Sequence, residues 1–335
     1  MMTSRERVWA SIRHQQPDRV PYYLSFTQPA ASKLRAHYGV TDLDTFLDND
    51  MVRFSTRRPG LMQEVRPGVS RDEFGVVWNR TVDRDIGFPE NPPITGRSLE
   101  GYVFPDPHDP IRTAGLQEFI EKHPQRFLII SYGFTFFERG WVLRGMPELL
   151  MDMLEAPEWV DELLDALLAF HLTALQELLT YDVQGVLFGD DWGQQQGLIF
   201  SPRLWRRFIK PRMAQLIAAV KETGRAAMIH SCGKVQELFP ELIEIGLDVF
   251  NPFQPDVMDV YEIKRQYGDR LAFYGGMSVQ RTLPQGTVQE VRAEAQRLMQ
   301  EIGRDGGFII GPSHHMPGDI PLENMLAFID AVQGQ

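Results

Sequence analysis

The sequence holds one cysteine, Cys232, in 335 residues. A single cysteine excludes an internal disulfide, a CxxC redox pair and any four-thiolate zinc or iron–sulfur site within one chain. It leaves room for a metal held mainly by imidazole, so the eight histidines gain weight. A basic surplus is missing too. The formal net charge is −11, which argues against nucleic-acid binding, since that calls for a basic stripe. Lysine is scarce, six among 34 basic residues, and this bias suggests no function. No stretch approaches the roughly 18 apolar residues that span a bilayer. Residues Met1 to Arg13 are charged and lack the apolar centre of a signal peptide. The expectation is therefore a cytoplasmic protein with no membrane and no nucleic-acid partner.

The chain shows a strand–helix rhythm. Thr3 with Glu6 fits a capping box for an N-terminal helix that Pro17 ends. Val20–Phe26 and, more weakly, residues 51–57 read as strands. From residue 126 onward, strand-like runs at 126–134, 183–191, 225–233, 248–254, 271–277 and 307–315 alternate with helical stretches near 146–181, 201–223, 235–246, 257–267, 287–303 and 321–333. Ser201-Pro202 and Thr287 with Glu290 mark helix starts, and Gly224, Gly246 and Gly268 mark ends. Eight strands, most followed by a helix, predict an α/β fold of the (β/α)₈ TIM-barrel type. Residues 58–112 are proline-rich and predict a lid-like insertion with a small hairpin at 74–80, within one domain spanning 1–335.

In such a fold the chemistry lies at the C-terminal ends of the strands. Those ends carry Asp190-Asp191-Trp192, His230-Ser231-Cys232, Gln254, Tyr274 and His314-His315. Residues i and i+2 of a strand share a face, so His230 and Cys232 point together into the mouth. Imidazole and thiolate are favoured zinc ligands, and a third ligand from the His314-His315 pair gives three protein ligands with an open position, the catalytic zinc pattern. Alternation predicts that only one of these two histidines faces inward. Against the metal stand a buried cysteine acting as a small hydrophobe and histidines that bind substrate without metal. Asp190 or Asp191 is expected to act as acid, base or orienting partner, with a turn or helix-cap role as the bland alternative. Trp192, Gln254, Tyr274 and His315 are candidates for substrate contact. Glu138-Arg139 reads as an internal ion pair.

Several strings together resemble the uroporphyrinogen decarboxylase superfamily. They are Thr3-Ser-Arg-Glu-Arg7, Pro17-Asp-Arg-Val-Pro21, Gly189-Asp-Asp191, Ser201-Pro202 leading to Phe208 and Pro211, His230-Ser-Cys-Gly233, Ile245-Gly-Leu-Asp248, Tyr274-Gly-Gly276, Gly311-Pro-Ser-His314 and Glu323-Asn324. The resemblance implies the (β/α)₈ barrel reached above. True porphyrinogen decarboxylases carry an arginine-rich segment near the N-terminus that clamps substrate carboxylates. Here Val20–Gln28 follows Arg19 without another arginine.

The chain looks closer to the methylcobalamin:coenzyme M methyltransferase branch, which serves corrinoid-dependent demethylation. That branch binds zinc through His-x-Cys plus a later cysteine. His230 and Cys232 match, and His314 stands where the later cysteine would fall. The resemblance therefore implies zinc on His230, Cys232 and His314, and a methyl group moving between methylcobalamin on a corrinoid-binding protein and a thiol or similar acceptor. One thiolate fewer would leave the ion more electropositive. Relatives suggest a monomer or homodimer. The rival reading is a metal-free decarboxylase or lyase acting on a carboxylated substrate, and a third is a silent corrinoid-binding scaffold.

Overall fold

The computed structural model describes residues 1–82 and 87–335. After a helix at Ser4–Ile12 come strand β1 (Met51–Ser55) and the short strands β2 (Met62–Arg66), β3 (Val69–Asp72), β4 (Val77–Asn79) and β5 (Phe88–Glu90). Then follow β6 (Phe127–Phe134), β7 (Gly185–Gly189), β8 (Ala226–His230), β9 (Val249–Phe253), β10 (Ala272–Met277) and β11 (Phe308–Pro312), with helices between them. Seven of these form one curled parallel sheet in the order β1-β6-β7-β8-β9-β10-β11. Buried on both faces, they read as nearly continuous apolar runs rather than alternating ones.

The eight-stranded ladder expected from the sequence is met in part. Segment 20–26 meets β11 through single parallel bridges, Tyr22 to Ile310 and Phe26 to Met316. Toward β1 its hydrogen bonds run largely to side chains. The Tyr22 amide donates to Asp50 Oδ2 at 2.9 Å and the Leu24 amide to Asn49 Oδ1 at 2.8 Å. Pro21 has no amide hydrogen to give a ladder, and the side-chain oxygens of Asn49 and Asp50 accept from the amides that follow it.

Parallel register stacks inward-facing side chains in layers. The lowest layers are apolar: Met51, Phe127, Ile129, Leu187, Ala226, Met228, Val249, Ala272 and Ile309 form one buried cluster. Val8 and Ile12 of the first helix plug it from below, and Trp9 meets Phe127 edge-on at 5.3 Å. The Thr3–Glu6 capping box forms as the sequence predicts. The opposite strand faces (Leu128, Ile130, Val186, Phe188, Ile229, Phe250, Phe273) pack in the larger core shared with the helices.

Three local expectations change. The helical stretch 146–181 is two helices, Met146–Glu155 and Pro157–Leu178, because Ala156 precedes a proline and leaves the helical region at φ −139°, ψ 57°. The stretch 201–223 carries a wider π-turn at Trp205–Ile209, just ahead of Pro211, which cannot donate a helical hydrogen bond. The insertion holds a four-stranded antiparallel sheet, β2-β3-β4-β5, where a single hairpin at 74–80 was expected. Strand β2 is mostly exposed and lacks the alternation that reveals a strand in sequence. Asp72 organises this sheet: it accepts from the amides of Phe74 and Val76, from the Trp78 indole and from Arg139.

Asp50 ties the N-terminal pieces together. Fully buried, it accepts from Arg7 at 2.7 Å, from Arg19 at 2.7 Å and from the Tyr22 amide. Asp50→Asn leaves two guanidinium groups short of charge in a buried place, so it should lower folding stability by about 3 kcal/mol or more in a denaturant titration. Asp182→Asn, at an exposed ion pair with Arg5, should change little.

Candidate metal centre and its cavity

Above the apolar layers the inward-facing residues turn polar. Arg53 and Ser55 of β1, Ser131 of β6, His230 of β8, Asn251 of β9 and Tyr274 of β10 line a cavity of ≈ 840 Å³ at the C-terminal ends of the strands. Asp191, Glu138, Arg57, His314 and His315 complete its polar wall. Trp78, Phe88 and Pro89 of the insertion close one side.

His230 and Asn251 are register partners on neighbouring strands. Asn251 donates through Nδ2 to the Tyr274 carbonyl at 3.0 Å, which turns its Oδ1 toward His230 Nδ1 at 2.6 Å. An amide oxygen accepts, so this network places the imidazole hydrogen on Nδ1 and leaves a lone pair on Nε2. Cys232 Sγ lies 3.3 Å from that Nε2. His314 joins them, its ring 5.5 Å from that of His230. One ligand atom from each of His230, Cys232 and His314 lies within 4.8 Å of the others.

The loop bearing Cys232 is held on several sides. Its amide donates to Asp191 Oδ1 at 2.7 Å, and the next amide, of Gly233, donates to Gln254 Oε1 at 2.8 Å. Gly233 has φ +87°, and a Cβ there would fall 2.3 Å from the Gly193 backbone. The loops after β7 and β8 can touch only because both positions are glycine. Burial, with the carboxylates of Asp191 and Glu138, pushes the Cys232 thiol pKa up. Burial, with His230, His315 and Arg53 nearby, lowers His314 to about 3 and keeps it neutral. Both effects come from the protein alone, and a bound cation opposes the first.

Candidates from the sequence separate into two groups. His230, Cys232 and His314 converge, and Asp191, Tyr274 and His315 line the same cavity. Both histidines of the pair reach it, because they lie beyond the end of β11, where strand alternation no longer applies. Asp190, Trp192 and Gln254 do not line it. Asp190 is fully buried and accepts from the Phe137 and Glu138 amides and from the Trp192 indole at 2.7 Å. It caps the first amides of the helix Phe137–Arg144 from a distant strand end, whereas the alternative foreseen was a turn or cap just before Trp192. Trp192 is buried against Trp205, and Gln254 holds the Cys232 loop.

The Glu138–Arg139 ion pair is not formed: Arg139 pairs with Asp72 at 2.9 Å. Neighbours on a helix diverge, so Glu138 faces the cavity instead. Burial and the nearby carboxylates of Asp191 and Asp190 raise its pKa well above the usual range. Sequence reading missed Arg53 and Arg57 as cavity residues. The signal available was Arg53, two residues after the inward-facing Met51 on the same strand.

A parallel βα sheet with a polar cavity and converging imidazole and thiol groups at its strand ends has the arrangement of an enzyme site. The profile of the uroporphyrinogen decarboxylase (URO-D) family matches residues 139–335, and the chain belongs to that family. The methylcobamide:CoM methyltransferase MtaA of Methanosarcina barkeri is 27% identical over 134 residues, 40% of this chain and 37% of that protein. A uroporphyrinogen decarboxylase of Psychromonas ingrahamii is 25% identical over 184 residues, 52% of this chain and 48% of that protein. The match thus spans half or less of the length of these curated relatives. A solved methyltransferase from Methanosarcina mazei shares the fold over 100% of this chain and 99% of its own, with a TM-score of 0.76 and 16% identity. Among the described residues no helix is long and apolar enough to cross a membrane.

Asp190 yields a pH prediction. Burial raises its pKa to about 6 against its amide and indole donors. The folded state then holds more protons than the unfolded state between about pH 4 and 6, so this group's contribution to stability is present below pH 4 and falls as pH rises to 6. Asp190→Asn should remove that slope from pH-dependent denaturation. It should also cost about 1–3 kcal/mol, because an amide NH₂ would face donors that need an acceptor.

Proposed function

We propose that the protein moves a methyl group between a corrinoid carried on a separate protein and a thiol or similar small acceptor, using zinc held by His230, Cys232 and His314. The carrying observation is the convergence of these three side chains within 4.8 Å at the strand ends. Nitrogen and sulfur ligands of one zinc ion stand about 3.5 Å apart, from bond lengths of about 2.0 and 2.3 Å. The separation of 3.3 Å between Cys232 Sγ and His230 Nε2 fits that geometry. The resemblance to MtaA supports the same reading. In it, segment 20–26 occupies the eighth position of a (β/α)₈ barrel.

Bound there, zinc would supply the Lewis acidity that makes a thiol acceptor nucleophilic near neutral pH. The chain's own residues prepare the site. Asn251 fixes the His230 tautomer so that Nε2 offers its lone pair. Asp191 holds the Cys232 amide, stands 4.0 Å from His230 Nε2 and receives the proton that the acceptor gives up. Tyr274 and His315 border the acceptor's space. Asp190 acts at one remove, by fixing the helix that presents Glu138.

A second reading, decarboxylation of a carboxylated substrate without metal, draws on Arg53 and Arg57 in the cavity wall. Metal content separates the two. Protein purified without a tag should carry stoichiometric zinc, and His230→Ala should lose it together with transfer from methylcobalamin to a thiol. Asn251→Leu should weaken zinc binding about 10–100-fold while the fold persists. Zinc-free wild type, or activity indifferent to chelator, would sink the zinc proposal.

A further inference from the structure

A second, smaller space of ≈ 50 Å³ adjoins the insertion, and Trp78 lines both it and the large cavity. Three parts of the chain wall it: Arg57 and Arg58 after β1, Asp72, Glu73 and Arg80 of the insertion, and Arg139 of the helix Phe137–Arg144. Four guanidinium groups thus meet two carboxylates, and both carboxylates are already engaged. Asp72 accepts from the Phe74 and Val76 amides, the Trp78 indole and Arg139. Both oxygens of Glu73 accept from Arg112.

The cations are left over. Arg57, Arg58 and Arg80 form no ion pair among the described residues. Arg57 lies over the Phe134 ring at 4.0 Å and Arg58 over the Phe54 ring at 4.9 Å, contacts that orient a guanidinium and leave its N–H edge free. Arg139 is 7% exposed and gives its Nη1 to Asp72 at 2.9 Å, while its Nη2 and Nε have no partner among the described residues. Arg57 is near enough for Arg139 and Arg80 to repel its charge. In a chain of net charge −11 this is a local surplus of the opposite sign. A cation held out of water without a counter-ion is costly, and an anion completes it.

We infer that this small pocket binds one inorganic anion of the size of chloride, held chiefly by Arg80 and Arg139. A water takes about 30 Å³ in the liquid, so ≈ 50 Å³ admits a single small ion and excludes an organic molecule. The occupant is therefore a free ion and no part of the small molecule in the large cavity. It joins the insertion to the helix Phe137–Arg144 and to the segment after β1, three parts of the chain that otherwise meet here with like charges. Because Trp78 belongs to both spaces, the ion also steadies one wall of the large cavity. The inference stands apart from the zinc and methyl-transfer reading, since none of its residues touches the His230–Cys232–His314 cluster.

Melting temperature and tryptophan fluorescence test it, with ionic strength held constant by exchanging chloride for gluconate, an anion too large to enter. In wild type the melting temperature should rise with chloride and level off once the site is filled, as for a ligand that binds the folded state alone. Iodide should quench part of the tryptophan emission saturably, and chloride should displace it. Trp78→Phe should abolish that part of the quenching and keep the chloride-dependent rise in melting temperature. Arg80→Met should weaken chloride binding about tenfold or more, the scale of a charge-assisted hydrogen bond. In gluconate the same variant should melt no lower than wild type, because one of the like charges is gone. Arg66→Met, at an exposed pair with Glu90 in the same sheet, should respond as wild type does. A wild-type melting temperature indifferent to chloride, iodide quenching that never saturates, or an undiminished chloride response in Arg80→Met overturns the inference.

Discussion

The hydrogen-bonded register that sets Ser55 beside Ser131, Gly189 beside His230 and His230 beside Asn251 brings these residues to one height in the sheet. Parallel strands carry side chains to alternate faces every second residue, so level neighbours become level side chains. The same rule builds the apolar layers beneath. Without that register His230 would have no amide oxygen at Nδ1, and its Nε2 lone pair would not be fixed toward Cys232. The cavity is thus one layer of the sheet in which apolar residues give way to polar ones.

Three carboxyl groups lie close together near this layer, and their surroundings divide their work. Asp190 is spent on helix and indole donors beneath the surface. Asp191, one residue on, faces the opposite way and reaches the Cys232 loop. Glu138 is presented by the helix that Asp190 caps, and burial beside the other two raises its pKa. Removing the cap at Asp190 would therefore disturb the cavity without touching it. This is the distinction between Asp190 and Asp191 that adjacency in sequence conceals.

The legible parts were those governed by local rules. The strand–helix rhythm, the capping boxes at Thr3 and Thr287, and the His-x-Cys spacing each depend on residues a few positions apart. The insertion was harder, because its strands are short, polar and paired across turns rather than buried. The expectation that only one of His314 and His315 faces inward failed because alternation does not hold past the end of β11. Arg139 finds its partner 67 residues away at Asp72, a pairing that spacing could not reveal. Arg53 and Arg57 reach the cavity from β1 and the residues beyond it, not from the segment after Arg19 where the resemblance places arginines.

Val8 and Ile12 seal the lower end of the strands with side chains almost wholly out of water. The space above them has no way out past these two residues, and Trp78, Phe88 and Pro89 wall part of its upper side. Such a shape imposes an order of traffic. A small molecule has to be seated before anything large covers the opening, and it leaves only after that cover has gone. Under the function proposed above, the small acceptor is seated before the corrinoid-bearing protein covers the opening, an order that traces back to the first helix at the far end of the molecule.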